Sequence, residues 1–87
     1  MELEFDPAKD AINRRKHGVS LAEAAGFDMS AAVVVQDSRF DYGEVRFRAF
    51  GRVGAQGMCL AFTYRGSRVR IISYRRAHDE ELADYDL

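Results

Sequence analysis

The 87-residue sequence has one cysteine, one proline and no tryptophan. The single thiol, Cys59, excludes an internal disulfide, and its apolar surroundings point to a reducing, cytoplasmic setting. No apolar run approaches the roughly 20 residues of a membrane-spanning helix. The acidic N-terminus lacks the basic and apolar regions of a secretory signal. Repeats, low-complexity tracts and linkers are also missing, so residues 1–87 read as one domain. Histidine and cysteine nowhere recur at metal-ligand spacing, and glycine-rich phosphate loops and nucleophile elbows are absent. These gaps predict a protein without metal or cofactor and argue against a nucleotide-fuelled enzyme.

What is present is enough apolar residue, 47% of the chain with six phenylalanines and four tyrosines, for a packed globule. The net charge of -1 conceals a segregation. Residues 1–38 are mildly acidic. Residues 39–76 carry nine arginines against only Asp41 and Glu44, and residues 77–87 carry five acids and no base. The basic middle resembles a polyanion binder, unless folding lays the acidic end over it.

Local signals order the elements. "LEF" is a short extended start. Asp6 followed by Pro7 marks a helix beginning, and Gly18 its end, so a first helix is predicted over Pro7–His17. "SLAE", with Ser20 as cap and Glu23 reaching back, predicts a second short helix over about Leu21–Gly26. Four strands follow: "AAVVVQ", the alternating "VRFRAFGRV", "MCLAFTY", apolar at both parities and hence covered on both faces, and "RVRIISYR". Their short glycine-bearing links predict an antiparallel meander. Leu82 and Tyr85 fit a last short helix. The expectation is an α+β domain with two N-terminal helices and one C-terminal helix on one face of a four-stranded antiparallel sheet.

Several side chains suit proton transfer or the binding of a polyanion. Arg46, Arg48 and Arg52 share one side of a strand, as do Arg68 and Arg70, and guanidinium forks match phosphate oxygens. The alternative is a solvated arginine-rich strand face. His17 is the best-placed proton carrier near neutral pH, or simply a cationic end to the first helix. His78 has the same two readings at a strand-to-helix junction. Glu44, two residues before Arg46, is either a base or a salt-bridge partner whose pKa the arginines would depress.

Three segments in order resemble the BrnT family, the toxin half of a bacterial type II toxin–antitoxin pair. "FDPAKDAINRRKHGVSLAEAA" carries the family's Phe5, Asp6, Lys9, Asn13, Lys16, His17, Gly18, Val19, Ser20, Glu23 and Ala24 positions. "DYGEVRFRAFGRV" supplies Gly43, Glu44, Arg46 and Gly51, and "RVRIISYRRAHDEELADY" supplies Arg70, Ile71, Ile72, Ser73, Arg75, Ala77, Glu81 and Tyr85. The resemblance implies a RelE-like fold and a metal-independent ribonuclease that inhibits translation. It further implies direct neutralisation by a BrnA-type ribbon-helix-helix antitoxin in a hetero-oligomer, with operator DNA met only through that partner. On this basis Arg46, Arg75 and Arg76 are assigned to the phosphate, and His17 or Glu44 to the base. Tyr85 or His17 is assigned to the acid, and Lys16, Arg48, Arg68 and Arg70 to the RNA backbone. A related possibility is a weakly active family member kept as an antitoxin-binding co-repressor. Three departures stand out: Phe5 where tryptophan is frequent, Tyr74 where alanine is usual, and an unusually acidic last helix. That helix either covers the arginines or stands at the rim of an open phosphate cradle beside His17, and the second arrangement is expected.

Overall fold

A computed structural model describes residues 2–87. The chain runs β1 (Glu2–Glu4), α1 (Pro7–His17), 3-10 helices at Leu21–Gly26 and Met29–Ala31, β2 (Val33–Asp37), β3 (Arg46–Val53), β4 (Gln56–Arg65), β5 (Arg68–Arg76) and α2 (Asp79–Ala83). Both ends of α1 form as the sequence predicts. The Asp6 carboxylate accepts the Ala8 N–H at 2.8 Å, and Gly18 closes the helix at φ +72°. The expected second helix forms over its predicted residues, with Ser20 and Glu23 exchanging capping bonds, but as a 3-10 helix. Its bonds run to the third residue back, from the Glu23 N–H to the Ser20 carbonyl and from the Phe27 N–H to the Ala24 carbonyl.

The sheet differs from the expected four-stranded antiparallel meander. It has five strands in the order β1-β5-β4-β3-β2, and β1 lies parallel to β5, pairing Glu2 with Arg68 and Glu4 with Arg70. Only β2 through β5 are antiparallel. The extended "LEF" stretch is therefore part of an edge strand. A parallel pairing across more than sixty residues has no turn to announce it, unlike the hairpins that close at Gly54 and Gly66.

The helices also occupy both faces rather than one. On the first face, Val19, Leu21, Ala24 and Phe27 pack against strand residues including Leu60, Phe62, Ile71 and Tyr74. On the second, Leu82 of α2 is fully buried with Phe50, Cys59 and Ala77. This double cover is why β4 is apolar at both parities. Gly57 makes room for α2, since a Cβ there would overlap Leu82 Cδ1. Among the described residues no helix is long and apolar enough to cross a membrane.

Two irregularities of β5 prepare the site. A bulge opposite Ala61 and Phe62 leaves Ile72 as an extra residue, because Ser73 pairs with Ala61 while Ile71 pairs with Phe62. Beyond the reach of the three-residue β1, the outer edge of β5 would expose unpaired backbone groups. Asn13 of α1 fills that place. Its Nδ2 donates to the Tyr74 and Val19 carbonyls at 2.7 and 2.8 Å, and its Oδ1 accepts the Tyr74 N–H at 3.3 Å.

Candidate active site

Asn13 fixes the height of α1 against β5, and one turn later α1 ends beside the end of β5. There Lys16, His17, Arg75, Arg76, His78 and Glu81 line an open cleft of about 500 Å³. Of the residues singled out in the sequence as candidates for chemistry, this cleft unites Lys16, His17, Arg75, Arg76 and His78. Alternation along β5 sends Arg75 toward the α2 face, opposite Cys59, and Arg76 toward the other, opposite Met58. Both reach the cleft because the strand ends there.

The charges within it are unequal. Arg75 is clamped by Glu81, with Nη1 and Nη2 donating to Oε1 and Oε2 at 2.8 and 2.9 Å. Both side chains are about one-quarter exposed. Among the described residues Lys16 and Arg76 have no carboxylate within ion-pair distance. His17 has its pKa lowered from 6.5, first by partial burial and then by repulsion from Lys16 and Arg75. It is therefore mainly neutral at pH 7 and able to accept a proton. The acidic helix thus stands at the rim and takes one arginine, leaving Arg76 and Lys16 open beside His17.

The remaining sequence-singled residues lie outside this cleft. Glu44 bonds Arg46 at 3.0 Å and approaches Arg65 at 4.0 Å, near the far end of β3, where Arg46 also sits over the Tyr42 ring. Arg68 is paired with Glu2 and Glu4, and Arg70 with Glu4, along the β1 edge. Tyr85 stacks on Phe50 with ring centroids 4.7 Å apart, as a packing element beneath α2. Arg48 lies on the α2 face over the Phe50 ring, its Nε buried and without a hydrogen-bond acceptor among the described residues.

His78, which the sequence offered either as a proton carrier or as a helix terminus, lines the cleft. Two features were given no role from the sequence. Asn13 was matched to the family pattern without a role. Asp37, buried at the end of β2, accepts Arg39 Nε and Nη2 at 2.8 and 2.9 Å and the Tyr42 hydroxyl at 3.0 Å. These donors hold its carboxyl well below the usual range. No period or motif marks that knot.

The clamp on Arg75 gives a pH prediction. The Glu81 pKa is lowered from 4.5 to about 2, first by the Arg75 hydrogen bonds and against the cost of burial, and Arg75 is raised by the same contacts. A carboxylate depressed on folding stabilises the fold above its unfolded pKa and loses that contribution as pH falls toward its folded one. Glu81→Gln is expected to cost about 1–3 kcal/mol at pH 7, and to flatten the fall in stability between pH 4.5 and about 2. Urea titrations of both proteins across that range check it.

The fold and site define a small α+β protein with a cationic, histidine-bearing cleft where a helix meets the end of a mixed sheet. The family model for "Ribonuclease toxin, BrnT, of type II toxin-antitoxin system" matches residues 5–81, and the chain belongs to this family. A similar solved structure is that of the Brucella abortus ribonuclease toxin BrnT. It is 27% identical, with a TM-score of 0.75, over 91% of this chain and 99% of that one. Among curated proteins no relative matches.

Proposed function

We propose that this chain is a metal-independent endoribonuclease that cleaves RNA at the Lys16–His17–Arg75–Arg76 cleft and thereby inhibits translation. The observation that carries the reading is the meeting of a neutral histidine with unpaired cations in one cleft, in a chain of a ribonuclease-toxin family. In the reaction the ribose 2′-oxygen attacks the adjacent phosphorus. His17 takes the 2′-OH proton, Lys16 and Arg76 stabilise the charge gathering on the phosphate oxygens, and the bond to the 5′-oxygen breaks. His78, across the cleft, is the group available to protonate that leaving oxygen. The products are a 2′,3′-cyclic phosphate and a 5′-hydroxyl. Glu44 and Tyr85 have no part in this scheme, because one is spent on arginines and the other on Phe50. Arg48 is the backbone-binding arginine without a carboxylate partner.

The same reading gives the protein a BrnA-type ribbon-helix-helix antitoxin that binds it directly and brings it to operator DNA. A second reading, a weakly active chain kept as an antitoxin-binding co-repressor, draws on one observation: Glu81 already neutralises Arg75. Incubating RNA with the purified protein in excess chelator separates the two. The first expects fragments ending in 2′,3′-cyclic phosphate, and a loss of about 10²-fold with Arg76→Ala, in the range for removing one transition-state donor. Intact RNA alongside tight antitoxin binding supports the second.

A further inference from the structure

Beside the cleft lies a second pocket of about 240 Å³, which shares Lys16 and His17 with it. Its other walls are Lys9, Ile12 and Asn13 of α1, with Ile72 and Ser73 of β5. Lys9, Ile12, Asn13 and Lys16 are spaced three, four and seven apart and so form one face of α1. Ile72 and Ser73 are neighbours in a strand, and regular alternation would send them to opposite faces. The bulge at Ile72 brings both to this pocket. Ile12 is 56% exposed, an apolar side chain left uncovered on the pocket wall.

Resting on the cleavage reading above, we infer that this pocket holds the nucleobase immediately 5′ of the scissile phosphate and prefers bases with a carbonyl rather than an amino group at purine C6 or pyrimidine C4, guanine and uracil. The covalent order of RNA carries the first half. Within one nucleotide the base leaves the ribose at C1′, the attacking hydroxyl at C2′ and the scissile phosphate at C3′. The group that deprotonates the hydroxyl must therefore stand between the base and that phosphate. His17 stands there, lining the base pocket on one side and the phosphate cleft on the other. The volume is below the roughly 300–1,000 Å³ of pockets that take larger ligands, which suits a single ring system. Ile12 and Ile72 supply apolar surface for the flat faces of a base.

The available polar groups carry the second half. Both Asn13 amide hydrogens go to the Tyr74 and Val19 carbonyls, its oxygen accepts the Tyr74 N–H, and the side chain is buried, so it is not free to read a base. Lys9 remains, with Lys16 at the boundary with the phosphate cleft and the Ser73 hydroxyl beside Ile72; the ammonium groups only donate, and the single hydroxyl can turn to donate as well. At the purine C6 and pyrimidine C4 positions donors match O6 of guanine and O4 of uracil, and they meet the N6 amino group of adenine and the N4 amino group of cytosine with like polarity.

The test uses nucleoside 3′-monophosphates, which carry base and phosphate in the required order and need no cleavage. Titrating the protein by calorimetry with the guanosine, uridine, adenosine and cytidine 3′-monophosphates, and with inorganic phosphate, is expected to rank the first two about 5-fold or more above the others. Lys9→Ala and Ile12→Ala should each shrink that spread while leaving the affinity for inorganic phosphate within about 2-fold, and Arg76→Ala should weaken all ligands together. Equal affinity for all four nucleotides, a preference for the adenosine or cytidine ligands, 5′-monophosphates binding better than 3′, or a spread untouched by both pocket variants would overturn the proposal. A base-dependent spread in a protein that leaves RNA intact would defeat the cleavage reading alone.

Discussion

His17→Ala is expected to slow RNA cleavage by about 10²–10⁴-fold, the range for losing a positioned proton acceptor, while shifting stability by only about 0.5 kcal/mol. The separation follows from its position. His17 closes α1 at the cleft and its imidazole makes no hydrogen bond among the described residues, whereas the end of the helix is held by Gly18 and by Asn13. The pH profile adds a signature that packing would not produce. Partial burial and the charges of Lys16 and Arg75 lower its pKa below 6.5, so the base limb of kcat/KM should lie on the acid side of that value. Lys16→Gln removes one repelling charge and should move that limb toward higher pH, besides lowering the rate through lost phosphate contact. A limb that stays in place when Lys16 is neutralised, or a His17→Ala variant that cuts RNA at the original rate, would remove His17 from the base role.

The parts of this molecule that obey local rules were readable from the sequence, and those made by distant segments were not. Asp6, Pro7 and Gly18 fix α1 through groups within a few residues of its ends. The hairpins of β3, β4 and β5 follow from alternation and glycine at the turns. By contrast, β1 joins β5 in parallel, and the only trace of the pairing in the sequence is complementary charge, Glu2 and Glu4 facing Arg68 and Arg70. That same pairing draws Arg68 and Arg70 away from the cleft to which the arginine pattern had assigned them. Strand spacing shows which arginines share a side, but whether a carboxylate waits opposite depends on register, which pattern alone does not fix. The cleft was partly legible, since Lys16 and His17 are adjacent, as are Arg75 and Arg76, and the resemblance singled out three of the four. What joins the two pairs is Asn13, a polar residue on a mostly polar helix whose buried bonds have no sequence signature. The α2 face was missed for a related reason. A five-residue helix carries one buried leucine, and nothing in its sequence says which side of a sheet it will meet.

Asn13→Ala is expected to destabilise the fold as much as truncating a core residue, costing about 3 kcal/mol, an amount that lowers the melting temperature by on the order of 10–20 °C in a domain this small. The reason lies in what is left behind rather than in the side chain removed. Alanine is tolerated in α1 and is the better helix former. The Tyr74 N–H and C=O, however, point away from β4 at a place where β1 has already ended, and among the described residues the Asn13 amide alone meets them. Truncation orphans both of these buried groups, and the Val19 carbonyl with them. Each orphan costs about 1–3 kcal/mol unless water enters. Asn13→Asp separates polarity from shape: its oxygens still accept from Tyr74 N–H but cannot donate to either carbonyl, so it should recover at most a small part of the loss. Because Asn13 also sets how far along β5 the end of α1 lies, both variants should cleave RNA more slowly even at temperatures where they remain folded. A thermal melt within about 2 °C of the parent protein for Asn13→Ala, less than about 0.5 kcal/mol, would show that β5 does not depend on the helix to complete its edge.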